Sequence, residues 1–189
     1  HRQFTHSLFF IPFGALIVAA PIFLLVRKHL SFKTTYAASF FGYATHGLLD
    51  ACTSYGTVLF WPFSNERITW NNISIVDPLL TIPALILLAM AVKTNRRRFS
   101  FLAVGWIVSY LALGLVQYER ALSSGLKLAQ SRGHNAERMT LKPSFGNLIL
   151  WKSIYQHGGS FYVDAIRAGT TLSWCPGESI KIFDYQYHL

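Results

Sequence analysis

Four apolar stretches, at about residues 7–26, 36–52, 75–92 and 99–116, constrain this chain more than any other feature. The first is about 20 residues long, or roughly 30 Å as a helix, which is the thickness of a bilayer's hydrocarbon core. Pro12 and Pro21 within it, and Pro83 in the third, are tolerated in membrane helices whose neighbours satisfy the freed backbone groups. A signal peptide is a poor reading of the first stretch. Its positive charges, Arg27 and Lys28, follow the apolar run instead of preceding it, and no small-residue cleavage site is evident. With 52% apolar and only 13% charged residues, the composition agrees with a membrane protein. The expected architecture is therefore mainly α, a four-helix transmembrane bundle over residues 1–117.

Charge sets an orientation. Arg27, Lys28 and Lys33 lie between the first two stretches, and Lys93, Arg96, Arg97 and Arg98 between the last two. Short loops rich in Lys and Arg stay cytoplasmic. Four alternating spans then put the chain start, the loop 53–74 and everything after Gln117 outside the cytoplasm. The same seven residues supply most of the +9 net charge. That charge is topological, no basic patch interleaved with aromatics is present, and no nucleic-acid partner is expected. The expected partner is the lipid bilayer.

Residues 118–189 read as a small extracytoplasmic α+β extension. A polar helix is expected over 118–139, with Leu122, Leu126 and Ala129 on one face. Two alternating runs, 148–155 and 161–166, flank Gln156-His157-Gly158-Gly159-Ser160, a hairpin signal. Residues 174–187 are expected to add strand. Cys52 and Cys175 have neither zinc-finger nor disulfide-framework spacing and read as thiols.

Ionisable groups are costly inside a membrane and mark function. His46 and Asp50 are four residues apart, so a helix presents them on one face, one turn apart. The predicted topology puts them at the outer end of the second span. It puts His1 and His6 at the outer end of the first, and Asp77 at the outer start of the third. Two imidazoles with one or two further N or O donors suffice to hold a divalent metal ion, most readily zinc, with manganese or iron as alternatives. Such an ion lowers the pKa of a bound water to roughly 7. Arg2 is placed to neutralise an anionic substrate or oxyanion. Asp77 is placed to orient a ligand histidine or to act as general base. The bland alternatives are real ones. Thr5 with His6 fits a helix start, His46 with Asp50 fits a buried pair joining helices, and Asp77 before Pro78 fits an N-cap. His29, His134, His157 and His188 have no such company in sequence and are expected at the surface.

Three stretches together resemble the bacterial inner-membrane, metal-dependent hydrolases of the YdjM type, also described as LexA-binding. They are His1-Arg2-Gln3-Phe4-Thr5-His6-Ser7-Leu8, Gly42-Tyr43-Ala44-Thr45-His46-Gly47-Leu48-Leu49-Asp50, and Thr53-Ser54-Tyr55-Gly56 followed by Trp61-Pro62-Phe63. The segment Pro143-Ser144-Phe145-Gly146-Asn147-Leu148 through Trp151 resembles an extension found in a subset of that family. The resemblance implies a multi-pass inner-membrane hydrolase whose metal is held by His1, His6, His46 and Asp50. Members carry an acidic Pro-Asp-x-Asp element before the His-Arg motif. Since this sequence opens inside that motif, a natural N-terminal portion is expected to precede it. The expected reaction is attack of an activated water on an ester or phosphoester, the headgroup-level site pointing to an amphiphilic or lipid-linked substrate. The competing expectation is a non-catalytic membrane protein whose His/Asp cluster is structural, senses metal or binds a partner.

Overall fold

Along the apolar helices of this protein small residues mostly face inward and large apolar ones outward, the reverse of a soluble core. In the computed structural model, which describes residues 4–136 and 138–182, the buried residues of helix α1 (Ile11–Val26) are Ile11, Gly14, Ala15 and Ala19. Leu25 on the same helix is 84% exposed. Helix α3 (Pro78–Thr94) buries only Ala84 while Val92 is 85% exposed. Water would penalise so much apolar exposure, and hydrocarbon does not; small residues at the contacts let helix backbones approach closely.

The chain forms two compact units, His1–Trp70 and Asn71–Leu189. The first is a helical hairpin of α1 and α2 (Phe32–Cys52), preceded by a 3₁₀ turn at Phe4–His6. Helix α1 starts four residues later than the apolar pattern predicts, because Ser7 sits in a tight turn. Its hydroxyl donates to the Phe4 carbonyl at 2.8 Å, and its side-chain oxygen accepts from Phe10 N. Leu8 N bonds Leu59 O at 2.9 Å, pinning this turn to the loop after α2. Helix α2 starts earlier than predicted, since Ser31 caps it by accepting from Thr34 N. The two helices approach closely at Gly14, where a methyl group would lie 2.6 Å from the Tyr43 ring. Beyond α2, Thr57 and Ile68 exchange backbone bonds, and Trp70 N returns to Ala51 O at 2.8 Å.

The second unit opens with a second hairpin, α3 and α4 (Arg97–Ser131), joined through Asn95 in the left-handed conformation (φ 50°). Helix α4 runs 35 residues without interruption and is long and apolar enough to cross a membrane. The boundary expected at residue 117 therefore falls inside one helix, and the separate polar helix expected over 118–139 is its C-terminal half. It ends before Gly133 (φ 71°), with His134 N bonding back to Ala129 O. Helices α1 and α3 are apolar but shorter, at 16 and 17 residues.

An antiparallel sheet follows, in the order β1 (Met139–Pro143), β2 (Leu150–His157), β3 (Ser160–Ala168), β4 (Leu172–Cys175), with β5 (Ser179–Lys181) sharing the outer edge of β3. The expected hairpin is present. His157 pairs with Ser160, leaving a two-residue loop of Gly158 (φ 55°) and Gly159 (φ 73°), the backbone a type I′ turn needs. Strand β1 falls where the sequence suggested the end of a helix. The core of this unit is Ala121 of α4 against Leu141, Trp151, Ile166 and Ala168 of the sheet. At the edge of the sheet His134 and His157 are partly exposed, in keeping with the expected surface position, but they are not without company. Their rings stack at 4.4 Å, and His134 Nδ1 lies 3.0 Å from the Tyr155 hydroxyl.

Candidate metal centre

The face of α2 carrying Tyr43, His46, Gly47 and Asp50 builds the site. At helical spacing these four positions lie along one stripe, and the 3₁₀ turn Phe4–His6 lies against it. The turn's position has two causes. Gly47 is buried and has no side chain, so the His6 carbonyl can approach until an added Cβ would stand only 3.0 Å from it. One turn earlier, the Tyr43 hydroxyl donates to the Thr5 carbonyl at 2.7 Å. Both contacts fix the turn on the helix without using the imidazole.

His6 is thereby brought to His46 and Asp50. Its Nε2 is 3.5 Å from Asp50 Oδ2, and its ring centroid is 5.0 Å from that of His46. One ligand atom from each of the three residues lies within 4.8 Å of the other two. The side chains of His6 and Asp50 are 15% and 17% exposed, whereas His46 is on the exposed edge. The cluster is therefore walled on one side and accessible on the other.

The donor set fits a divalent cation. Two imidazole nitrogens and one carboxylate oxygen are ligands of zinc and its neighbours, at bond lengths of about 2.0–2.2 Å. Around one tetrahedral ion at such bond lengths the ligand atoms stand about 3.4 Å apart, and those of this cluster lie within 4.8 Å of one another. His6 Nδ1 is 2.9 Å from Thr5 Oγ1, a pair in which either atom can be the donor, and Nε2 faces Asp50; with the proton on Nδ1 and donated to Thr5, Nε2 is free to ligate. That is the outer hydrogen bond by which metal-binding histidines are oriented.

Of the residues expected at the site, the structure brings His6, His46 and Asp50 together. His1 and Arg2 lie outside the described residues. Asp77 belongs to the second unit. There it is buried, caps α3 by accepting from Leu80 N, and receives the Tyr110 hydroxyl at 2.9 Å from both carboxylate oxygens. Sequence reasoning missed Thr5, Tyr43 and Gly47. Tyr43 and Gly47 could have been found from their spacing on the His46 face, but the partner of each is about 40 residues away in sequence.

Gly47→Val adds atoms where the His6 carbonyl now packs and moves the turn outward. It is expected to weaken divalent-metal affinity by about 10–100-fold, the range typical for groups that hold a ligand in place. Metal titration of the purified full chain checks this, and unchanged affinity would show that the close approach does not position His6.

A family model described as YdjM inner membrane protein matches residues 1–121, a span that contains the whole cluster. No curated protein and no solved structure matches the chain.

Proposed function

The chain belongs to the YdjM inner membrane protein family, and from that premise we propose that it is a membrane-embedded, metal-dependent hydrolase acting on an ester or phosphoester. The observation that supports this most is the convergence of His6, His46 and Asp50, from two elements 40 residues apart, with ligand atoms within 4.8 Å. A divalent cation held there, most readily zinc, supplies a water activated near neutral pH and an electrophile for the substrate's oxygen. The chain's own residues do the rest. His6 and His46 would contribute neutral nitrogen donors, Thr5 would accept the Nδ1 proton of His6 in the tautomer whose Nε2 ligates, and Asp50 would offset the charge of the cation. The exposed edge at His46 is where a substrate enters. In the sequence, His1 is a further candidate ligand, and Arg2 a candidate for neutralising charge on a phosphoryl or carboxyl oxygen.

The same reading places both hairpins across the inner membrane. Helices of 16 and 17 residues are about 24–26 Å long, within a few ångströms of the hydrocarbon thickness, a mismatch that bilayer thinning and flanking basic residues absorb. The loops bearing Arg27, Lys28 and Lys33, and Lys93 to Arg98, then face the cytoplasm. The metal centre and the β-sheet face the opposite side.

The test is activity with a defined metal state. The full chain in lipid nanodiscs is assayed on bis(4-nitrophenyl) phosphate and 4-nitrophenyl acetate. Hydrolysis of at least one is expected to be abolished by chelation, restored by zinc or manganese, and lowered about 100-fold or more by Asp50→Asn. Hydrolysis that survives both chelation and the substitution would overturn the proposal.

A further inference from the structure

An apolar groove runs along the first unit between α1 and α2, with a volume of about 590 Å³. Val18, Ile22 and Val26 form its α1 wall; Ala38, Gly42 and His46 lie on its α2 wall. The groove exists because α2 is thin there. Residues 38, 39 and 42 are Ala, Ser and Gly, and a Cβ built on Gly42 meets nothing within 4 Å. Along α2 the lining extends from Thr35 to His46, roughly 16 Å of helix. Among the described residues its polar end is formed by His46 and the phenol of Tyr43, and no carboxylate, lysine or arginine lines it.

His46 is shared. It closes one end of the groove and is also one of the three residues of the metal centre. A water-soluble substrate has no use for an apolar trough opening onto the metal, whereas a molecule with a polar head and a hydrocarbon tail matches both parts at once. We infer that the groove receives the hydrocarbon tail of the substrate, so that the enzyme acts on a long-tailed amphiphile whose ester or phosphoester head lies at His6, His46 and Asp50. This rests on the metal-centre reading above and adds a substrate class to it. The tail lies alongside α1 and α2, and the head reaches the metal centre without leaving the membrane interface. Occupancy of the groove places the head, so the tail contributes selectivity as well as affinity.

Gly42→Phe tests this directly, since it fills the groove one turn away from His46 without altering a proposed ligand. The full chain, zinc-loaded in phosphatidylcholine nanodiscs, is exposed to hexadecyl phosphate carrying a diazirine in mid-tail, and the photolabelled peptides are mapped. Labelling is expected to concentrate in α1 and α2 on either side of the groove. An excess of unlabelled hexadecyl phosphate is expected to suppress it, and inorganic phosphate is not. Gly42→Phe is expected to reduce it about tenfold or more, as when a few methylenes lose their apolar contacts, with metal content unchanged. Ile22→Trp, which fills the groove from the opposite wall, is expected to act alike and guards against a folding defect peculiar to the first variant.

Equal labelling of all four helices, as by bulk lipid, would overturn the inference and leave the metal centre standing. So would labelling in both variants at the wild-type level, or a groove protected because a second copy of the chain covers it. A wild-type protein that binds no metal overturns the proposed function and this inference together.

Discussion

Arg132→Ala is expected to destabilise the C-terminal sheet by about 3 kcal/mol, the low end of the cost of removing one partner from a buried ion pair, because the carboxylate of this pair is buried while the guanidinium is part-exposed. Arg132 follows α4 directly, and its guanidinium makes a two-pronged contact with Asp164 of β3, at 2.9 and 2.8 Å. The Asp164 side chain is 1% exposed and has one other hydrogen-bond donor, Gly177 N at 2.8 Å. The pairing, chiefly the hydrogen bonds to Asp164, holds the guanidinium even more firmly protonated than usual. Alanine leaves the carboxylate with its charge uncompensated, and also removes the donor that Arg132 offers the Tyr155 hydroxyl at 2.9 Å. Lysine restores the charge but not the planar fork, so Arg132→Lys is expected to fall between alanine and wild type. Denaturant unfolding followed through the fluorescence of Trp151, which is fully buried in this sheet, reads the effect. A cost below about 1 kcal/mol, the level of an exposed ion pair, would show that this contact does not anchor α4 to the sheet.

The second large effect is at the metal centre. His46→Ala and Asp50→Ala each remove one of the three donor groups that the structure brings together. Each is expected to lower divalent-metal affinity by more than about 100-fold, beyond what the loss of an outer hydrogen bond costs. Insertion into the membrane should be unaffected, because it depends on the apolar residues of the helices and neither substitution removes one of them. Competition against a chromophoric chelator measures the affinity, and alkali-resistant membrane association provides the control. Thr5→Val should act more mildly than either, as it removes only the contact to His6 Nδ1.

The sequence made some of this architecture plain and hid other parts for identifiable reasons. Apolar run length revealed the helices, and the pair Gly158-Gly159 revealed the hairpin, since two successive positive φ angles are cheap only for glycine. The continuity of α4 was not legible. Around Gln117-Tyr118-Glu119-Arg120 the composition turns from apolar to polar, which suggests an end, but no proline follows before Gly133 and Gly125 is accommodated inside the helix. Composition marks a change of surroundings, not a break in hydrogen bonding. Strand β1 was hidden by the same error, as its first residue was assigned to a helix that had already ended at Ser131.

At the site, the i, i+4 spacing of His46 and Asp50 was enough to put two groups on one face. That His6 joins them depends on the missing side chain of Gly47 and on the Tyr43 hydroxyl reaching Thr5 across 38 residues. No local pattern encodes contacts of that kind. Asp77 shows the limit from the other side. Its position before Pro78 was compatible with both a cap and a catalytic role, and the structure shows the cap together with an acceptor for Tyr110.

The most direct test of the metal centre needs no substrate. The full chain is purified from membranes without added metal, its zinc, manganese and iron are quantified, and the bound ion is studied by X-ray absorption. The account predicts stoichiometric metal with imidazole scattering in its first coordination sphere, and loss of both in His46→Ala. Metal-free wild-type protein, or a bound ion whose signal is unaltered by His46→Ala, would contradict it.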